Sequence, residues 1–251
     1  MKQHLGAITF LDVLGWKGIY NRHDDPIKDL KELIDLVECE IHKTTKWAKR
    51  TKVKSISDTI VILCDSGPLE ASDAIEHHGL LCAKLIPASV VRKIPVRGAT
   101  AFGQFQNKAN IFVGKAVDEA AAWHEEGDWI GVHLTPSADY LFTRPDNSVW
   151  IPHEPPLKGR SSWSTHCVNW INHASAPAFD DNSTKATFRE LGPIVPELLG
   201  KFSNTLKFAD KAARHIEVLP TIVEKKAQKT AKASPVRKTP PLARKKLLSS
   251  G

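Results

Sequence analysis

Two aspartates stand where a carboxylate can do chemistry. Asp12 lies within an apolar run of strand length, Ala-Ile-Thr-Phe-Leu-Asp-Val-Leu from 7 to 14, and a loop containing Gly15 and Gly18 follows at once. A charge in an otherwise buried strand is costly unless it is paired or coordinates a metal. Asp58 sits in a similar setting, Lys-Ser-Ile-Ser-Asp-Thr-Ile-Val-Ile-Leu from 54 to 63, at the tip of an expected hairpin. Taken alone, each aspartate is accounted for equally well as a turn or capping residue. Together, on neighbouring strands beside a glycine loop that can cradle phosphate, they point to metal-assisted phosphoryl chemistry.

The elements that must position them follow from the periodicity. Residues 5–14 read as a buried strand. Asp24 or Asp25 is a suitable N-cap with Pro26 in the first turn, and Ile27, Leu30, Leu33, Ile34, Val37 and Ile41 recur at helical spacing towards Trp47. Short strands at 51–57 and 59–65 flank the Ser57-Asp58 turn. A second helix covers 69–92, with Pro87 expected to kink or fray its end, and 95–103 reads as a strand. This β-α-β-β-α-β order predicts an α+β fold of the ferredoxin-like kind, an antiparallel sheet with both helices on one face. Beyond it the sequence predicts a helix at 114–126, a strand at 129–134 and a short helix from Thr135-Pro136-Ser137. Strand-like islands follow at 148–151 and 163–171, then helices at 184–190 and 195–218. The expected organisation is a catalytic domain over 1–183, a helical extension over 184–223 and a disordered basic tail over 224–251.

The charge belongs to that tail. Of the total of +7, residues 224–251 carry nine Lys or Arg and one Glu, a net of +8, which leaves −1 for residues 1–223. The body is therefore not a basic nucleic-acid binder, and the tail lacks the interleaved aromatics that stack on bases, so no specific nucleic acid is expected. The four cysteines (Cys39, Cys64, Cys82, Cys167) show no paired or metal-type spacing. They read as reduced thiols of a cytoplasmic protein. No run reaches membrane-spanning length and no basic-then-apolar leader opens the chain, so no membrane insertion is expected. No P-loop is present. His77 and His78, adjacent on a helix, cannot chelate one metal together. Trp123, Trp129, Trp163 and Trp170 read as core or interface residues, while Trp47, near the hairpin, could stack on a pyrimidine.

Four segments occur in an informative order: Phe10-Leu-Asp12-Val-Leu-Gly15, Ser57-Asp58-Thr59, Arg97-Gly-Ala-Thr-Ala-Phe-Gly103, and Gly114 followed six residues later by Ala120. In this they resemble the class III nucleotidyl cyclases, and more closely the bacterial pyrimidine nucleotide cyclases of the Pycsar antiphage systems. That group has the same Ser-Asp-Thr hairpin, the Arg-Gly-Ala strand, and a segment like Trp129 to Pro136. Pro156-Leu157-Lys158 and Cys167-Val-Asn-Trp170 are similar to its C-terminal portion. The resemblance covers about residues 5–175.

The resemblance implies that Asp12 and Asp58, with the Val13 carbonyl, hold a pair of Mg²⁺ or Mn²⁺ ions. Backbone groups of Leu14, Gly15, Trp16, Lys17 and Gly18 would cradle the terminal phosphates, and Arg97 would grip the triphosphate. Lys54, four residues before Asp58, falls where purine cyclases read the base; a solvated surface lysine describes it equally well. Three positions before Gly114, where those enzymes carry a second base-reading residue, stands Ile111. Four and eight residues after that glycine stand Asp118 and Ala122, in place of an asparagine and an arginine that steady the transition state. The expected substrate is therefore UTP rather than a purine nucleotide, with CTP as the alternative. The resemblance also implies a homodimer with active sites at its interface and a separate effector that senses the cyclic nucleotide. A rival reading is a catalytically silent module that only binds nucleotide.

Overall fold

The computed structural model describes residues 3–21, 23–109, 111–143, 148–160, 163–171, 181–191, 196 and 198–214. They contain strands β1 (His4–Val13), β2 (Thr51–Ile56), β3 (Thr59–Asp65), β4 (Val96–Lys108), β5 (Ile111–Val113), β6 (Gly131–Leu134), β7 (Trp150–His153) and β8 (Thr165–Val168). The helices are α1 (Pro26–His42), α2 (Ala71–Val91), α3 (Lys115–His124), α4 (Pro136–Leu141) and α5 (Asp181–Glu190), followed by α6 over 198–214. The strands form one sheet in the order β2-β3-β1-β4-β6-β8-β7, with β5 hairpinned onto the end of β4. The first six elements, β1 to β4 with α1 and α2, are the βαββαβ unit, and the fold is α+β as expected. The compact unit runs from Met1 to Ala213; of the second, Arg214–Gly251, only Arg214 is described, so the expected tail lies outside the described residues.

Alternation along β1 explains the layers, because successive side chains leave a strand on opposite faces. Ala7, Leu11 and Val13 join the core beneath α1 and α2, with Leu33, Val37, Ile75 and Leu85. Ile8 and Phe10 point the other way, against Ala116, Val117 and Ala120 of α3. Asp12 continues that second row, so it lies on the α3 face. The far end of the sheet is closed by α6, whose Phe208 ring lies 4.7 Å from that of Trp129. The Ile130 amide donates to Thr205 Oγ1 at 3.0 Å. Both α5 and α6 contribute buried residues to the main core, through Phe188 and Phe208.

Several boundaries differ from expectation for identifiable reasons. Asp25 caps α1, accepting from the Lys28 amide at 3.0 Å, with Pro26 as the first helical residue. The helix ends at His42 rather than near Trp47, because 43–50 fold into turns that tuck Trp47 inward. Trp47 is 4 % exposed, its ring 5.6 Å from that of His77 and its face covered by Lys46 and Arg50. It is therefore a core residue, with no free face for a base. Pro87 does not end α2, which continues to Val91. The extension of β4 to Lys108 and its hairpin with β5 were not expected from the polar Gln-Phe-Gln-Asn-Lys run.

Candidate active site

β1 is flanked by β3 on one side and β4 on the other, and its end gathers the predicted residues. In register, Asp12 stands opposite Thr59 of β3 and Arg97 of β4. The two-residue β2–β3 turn is Ser57-Asp58, with Ser57 in the left-handed region at φ 55°, which is unusual for a residue other than glycine. The Asp58 carbonyl accepts from the Val13 amide at 3.3 Å, tying the hairpin tip to the end of β1. Asp58 thereby comes near enough to Asp12 to raise its pKa by like-charge repulsion.

The side chain of Arg97 is 9 % exposed and that of Asp12 is 15 % exposed. Its Nε and Nη2 both donate to a single carboxylate oxygen, Oδ2 of Asp12, at 3.1 and 3.0 Å, while Nη1 donates to the Gly127 carbonyl at 3.1 Å. Burial nevertheless raises the Asp12 pKa above its ordinary value; the Arg97 charge and hydrogen bonds oppose this, Asp58 adds to it, and His124 opposes it weakly. One arginine thus faces two neighbouring carboxylates, and desolvation is the largest influence on Asp12.

The donor set fits a hard divalent cation. Asp12 and Asp58 bring two carboxylates to one end of β1, the Val13 carbonyl being a third donor that only the motif resemblance implies, and among the described residues no three His, Cys, Asp or Glu side chains converge to form an all-protein cage. Mg²⁺ and Mn²⁺ bind in this way, through one or two carboxylates, with substrate phosphates and water completing the shell.

The glycine loop uses φ values of 77° at Gly15 and 78° at Gly18, the left-handed region that glycine enters without strain. Trp16 leans on the core, whereas Gly15, Lys17 and Gly18 are exposed. Leu14 does not belong to this exposed stretch. Its side chain is buried and its amide donates to the Pro95 carbonyl at 2.8 Å, so the phosphate-cradle reading narrows to Gly15 through Gly18. Lys54 is opposite Val61, itself opposite Phe10, which places it on the Asp12 face one row back. It also lines, with Lys52, Glu38 and His42, a groove along the free edge of β2. Ile111 is 65 % exposed on β5, and Asp118 and Ala122 are exposed on α3.

Two participants were not anticipated. His124, in the last turn of α3, has its ring tilted against that of Phe10 at 5.5 Å between centroids, donates from Nδ1 to the Ala121 carbonyl at 2.6 Å, and influences Asp12. Gly127 supplies the carbonyl that anchors Arg97. Neither has a local sequence signal, since their roles exist only once α3 lies across β1.

Gly98, beside Arg97, has a packing reason. A Cβ there would lie 2.2 Å from the Phe10 carbonyl oxygen, because β1 and β4 approach closely just where Asp12 and Arg97 meet. Gly98→Ala is expected to destabilise the protein by about 3 kcal/mol, read as a lowered urea midpoint and reduced soluble yield. An unchanged midpoint would mean that the strands can separate at no cost.

No family model matches the chain, and no curated protein matches it. Among solved structures it is similar to the adenylyl cyclase CyaB from P. aeruginosa, at 10 % identity over 70 % of this chain and 98 % of that one, with a TM-score of 0.47. It is also similar to the guanylyl cyclase domain of the RhoGC fusion protein from the aquatic fungus Blastocladiella emersonii, at 17 % identity over 67 % and 98 % with a TM-score of 0.46. A third similarity is to an adenylate cyclase from Trypanosoma brucei in its monomeric state, at 16 % identity over 69 % and 94 % with a TM-score of 0.44.

Proposed function

We propose that this chain is a class III-type nucleotide cyclase that closes UTP to 3′,5′-cyclic UMP and pyrophosphate, with two Mg²⁺ or Mn²⁺ ions per site. The observation that carries this reading is the meeting of Asp12, Asp58 and Arg97 beside a glycine loop at one end of a βαββαβ sheet. Asp12, Asp58 and the Val13 carbonyl would hold the cations, which when bound make the 3′-hydroxyl more acidic and neutralise the triphosphate. The backbone from Gly15 to Gly18 and the Lys17 ammonium receive the terminal phosphates, and the Arg97 fork suits phosphate oxygens. The 3′ oxygen bonds to the α-phosphorus as the bond to the bridging α–β oxygen breaks; the hydroxyl proton goes to solvent and pyrophosphate leaves.

Base choice follows from donors and acceptors. Uracil presents an O4 acceptor where cytosine presents an N4 donor, and Lys54, a donor on the Asp12 face, favours the former. Ile111 offers a purine edge no hydrogen bond. Asp118 and Ala122 supply no cation to the reacting phosphate, which leaves that part to Arg97, Lys17, Lys54 or a residue of a second copy across a homodimer interface. In the setting that the motif resemblance implies, the product would signal to a separate effector during antiviral defence in the cytoplasm. No helix among the described residues is long and apolar enough to cross a membrane.

The test is a competition in which the protein meets ATP, GTP, CTP and UTP together with Mn²⁺ and the products are resolved by mass. Cyclic UMP as the single product is the expected result. Cyclic CMP would reassign the base to cytosine. A cyclic purine product would show that Ile111, Asp118 and Ala122 do not exclude purines, and no product with retained nucleotide binding would favour the silent module.

A further inference from the structure

The arginine at this site engages the wrong partner for a residue whose task is to hold phosphate. Two of its three guanidinium nitrogens converge on one oxygen of Asp12, and the third is fixed to the Gly127 carbonyl. A cation that uses Asp12 must share that carboxylate with a guanidinium that never loses its charge. We infer that Arg97 is an exchangeable counter-ion: without nucleotide it holds Asp12 and keeps the cation position closed, and a triphosphate draws its fork away, so that metal and nucleotide enter together. The inference rests on the cyclase reading and adds to it an order of events at the site.

The physical argument is one of alternatives. Two positive charges a few ångströms apart around one carboxylate repel strongly in a half-buried site. A triphosphate offers the same fork several oxygens in bidentate geometry and brings the negative charge that the second cation requires. Gly127 is suited to act as the pivot, because its carbonyl lies outside the carboxylate pair and holds Nη1 independently of Nε and Nη2. Linkage then demands that nucleotide and metal strengthen each other's binding equally. The arrangement keeps the bare site from filling with metal that has no substrate to act on.

The experiment measures Mn²⁺ binding to the full chain by the loss of the free-ion electron paramagnetic resonance signal. It compares wild type, Arg97→Met, Arg97→Lys and the Arg97→Met/Asp12→Asn pair, with and without 3′-deoxy-UTP, which lacks the attacking hydroxyl. Without nucleotide, Arg97→Met is expected to bind Mn²⁺ at least about tenfold more tightly than wild type. Removing Asp12 as well should cancel the gain. Arg97→Lys, which keeps a charge but not the fork, should fall between them, and it carries the test should Arg97→Met fail to fold. Mn²⁺ binding by these arginine variants no tighter than by wild type overturns the inference. In that case the cyclase reading still stands if 3′-deoxy-UTP makes wild type retain Mn²⁺ and Asp58→Ala abolishes that retention. Absence of protein-bound Mn²⁺ in every arm overturns both.

Discussion

Asp58→Ala is expected to lower cyclisation at least about 10³-fold while leaving stability within about 0.5 kcal/mol of wild type. Asp12→Asn is expected to lose both. The difference lies in where each carboxylate sits. Asp58 occupies a partly exposed hairpin tip, and its backbone carbonyl ties it to β1. Asp12 is the counter-ion of Arg97, whose side chain is buried. Neutralising one member of a buried pair leaves the other charge without compensation, at a cost of about 3 kcal/mol. Activity by product mass and stability by urea titration, measured on the same preparations, separate the two roles. If Asp58→Ala retains activity within a few-fold of wild type, the hairpin aspartate is a turn residue and the two-carboxylate reading falls. If Asp12→Asn melts with wild type, the Arg97 pair contributes nothing to the fold.

These two aspartates also show how much was legible in advance. Both were visible because a carboxylate amid β-forming residues violates local patterning, and such violations concentrate at functional sites. The βαββαβ core was visible for the opposite reason: α1 and β1 to β3 obey their periods closely. What the chain order did not reveal depends on contacts distant in sequence. The Arg97–Asp12 pair spans 85 positions, and nothing local distinguishes an arginine aimed at a carboxylate from one aimed at solvent. Leu14 looked like part of the loop until the Pro95 carbonyl took its amide. The β4–β5 hairpin was hidden because its turn uses Ala109 at φ 53° where a glycine would have signalled it. Trp47 followed a helical run, yet burying its large apolar ring against His77 outweighed the extension of α1.

The same burial makes acid the fold's weak point. His77 and His78 of α2, His133 of β6 and His153 of β7 are held below the ordinary histidine range by desolvation: His77, His133 and His153 to about 4, and His78 well below it. His77 and His78 meet threonines, with Thr9 Oγ1 2.7 Å from His78 Nδ1 and Thr51 Oγ1 3.3 Å from His77 Nε2. His153 faces the Lys211 ammonium at 3.4 Å, which further disfavours its charged form. Neither ring nitrogen of His133 meets a hydrogen-bonding partner among the described residues. With a pKa of 6.5 when unfolded and near 4 when folded for His77, His133 and His153, and a lowered one for His78, each imidazole takes up its proton more readily in the unfolded chain. Its contribution is therefore complete above pH 6.5 and is lost as the pH falls towards 4. Each such proton is worth about 1.4 kcal/mol per pH unit. Several together match a typical total stability of about 5–15 kcal/mol within two units. Urea midpoints should fall steeply between pH 6.5 and 5, with cooperative unfolding by about pH 4.5. His133→Leu tests the origin of that slope, since it removes a buried unpartnered imidazole and should maintain or raise stability at pH 7.5 while reducing proton uptake by about one. A slope unchanged by that substitution would mean that His133 titrates equally in both states, and the acid sensitivity would then have to come from the other three imidazoles.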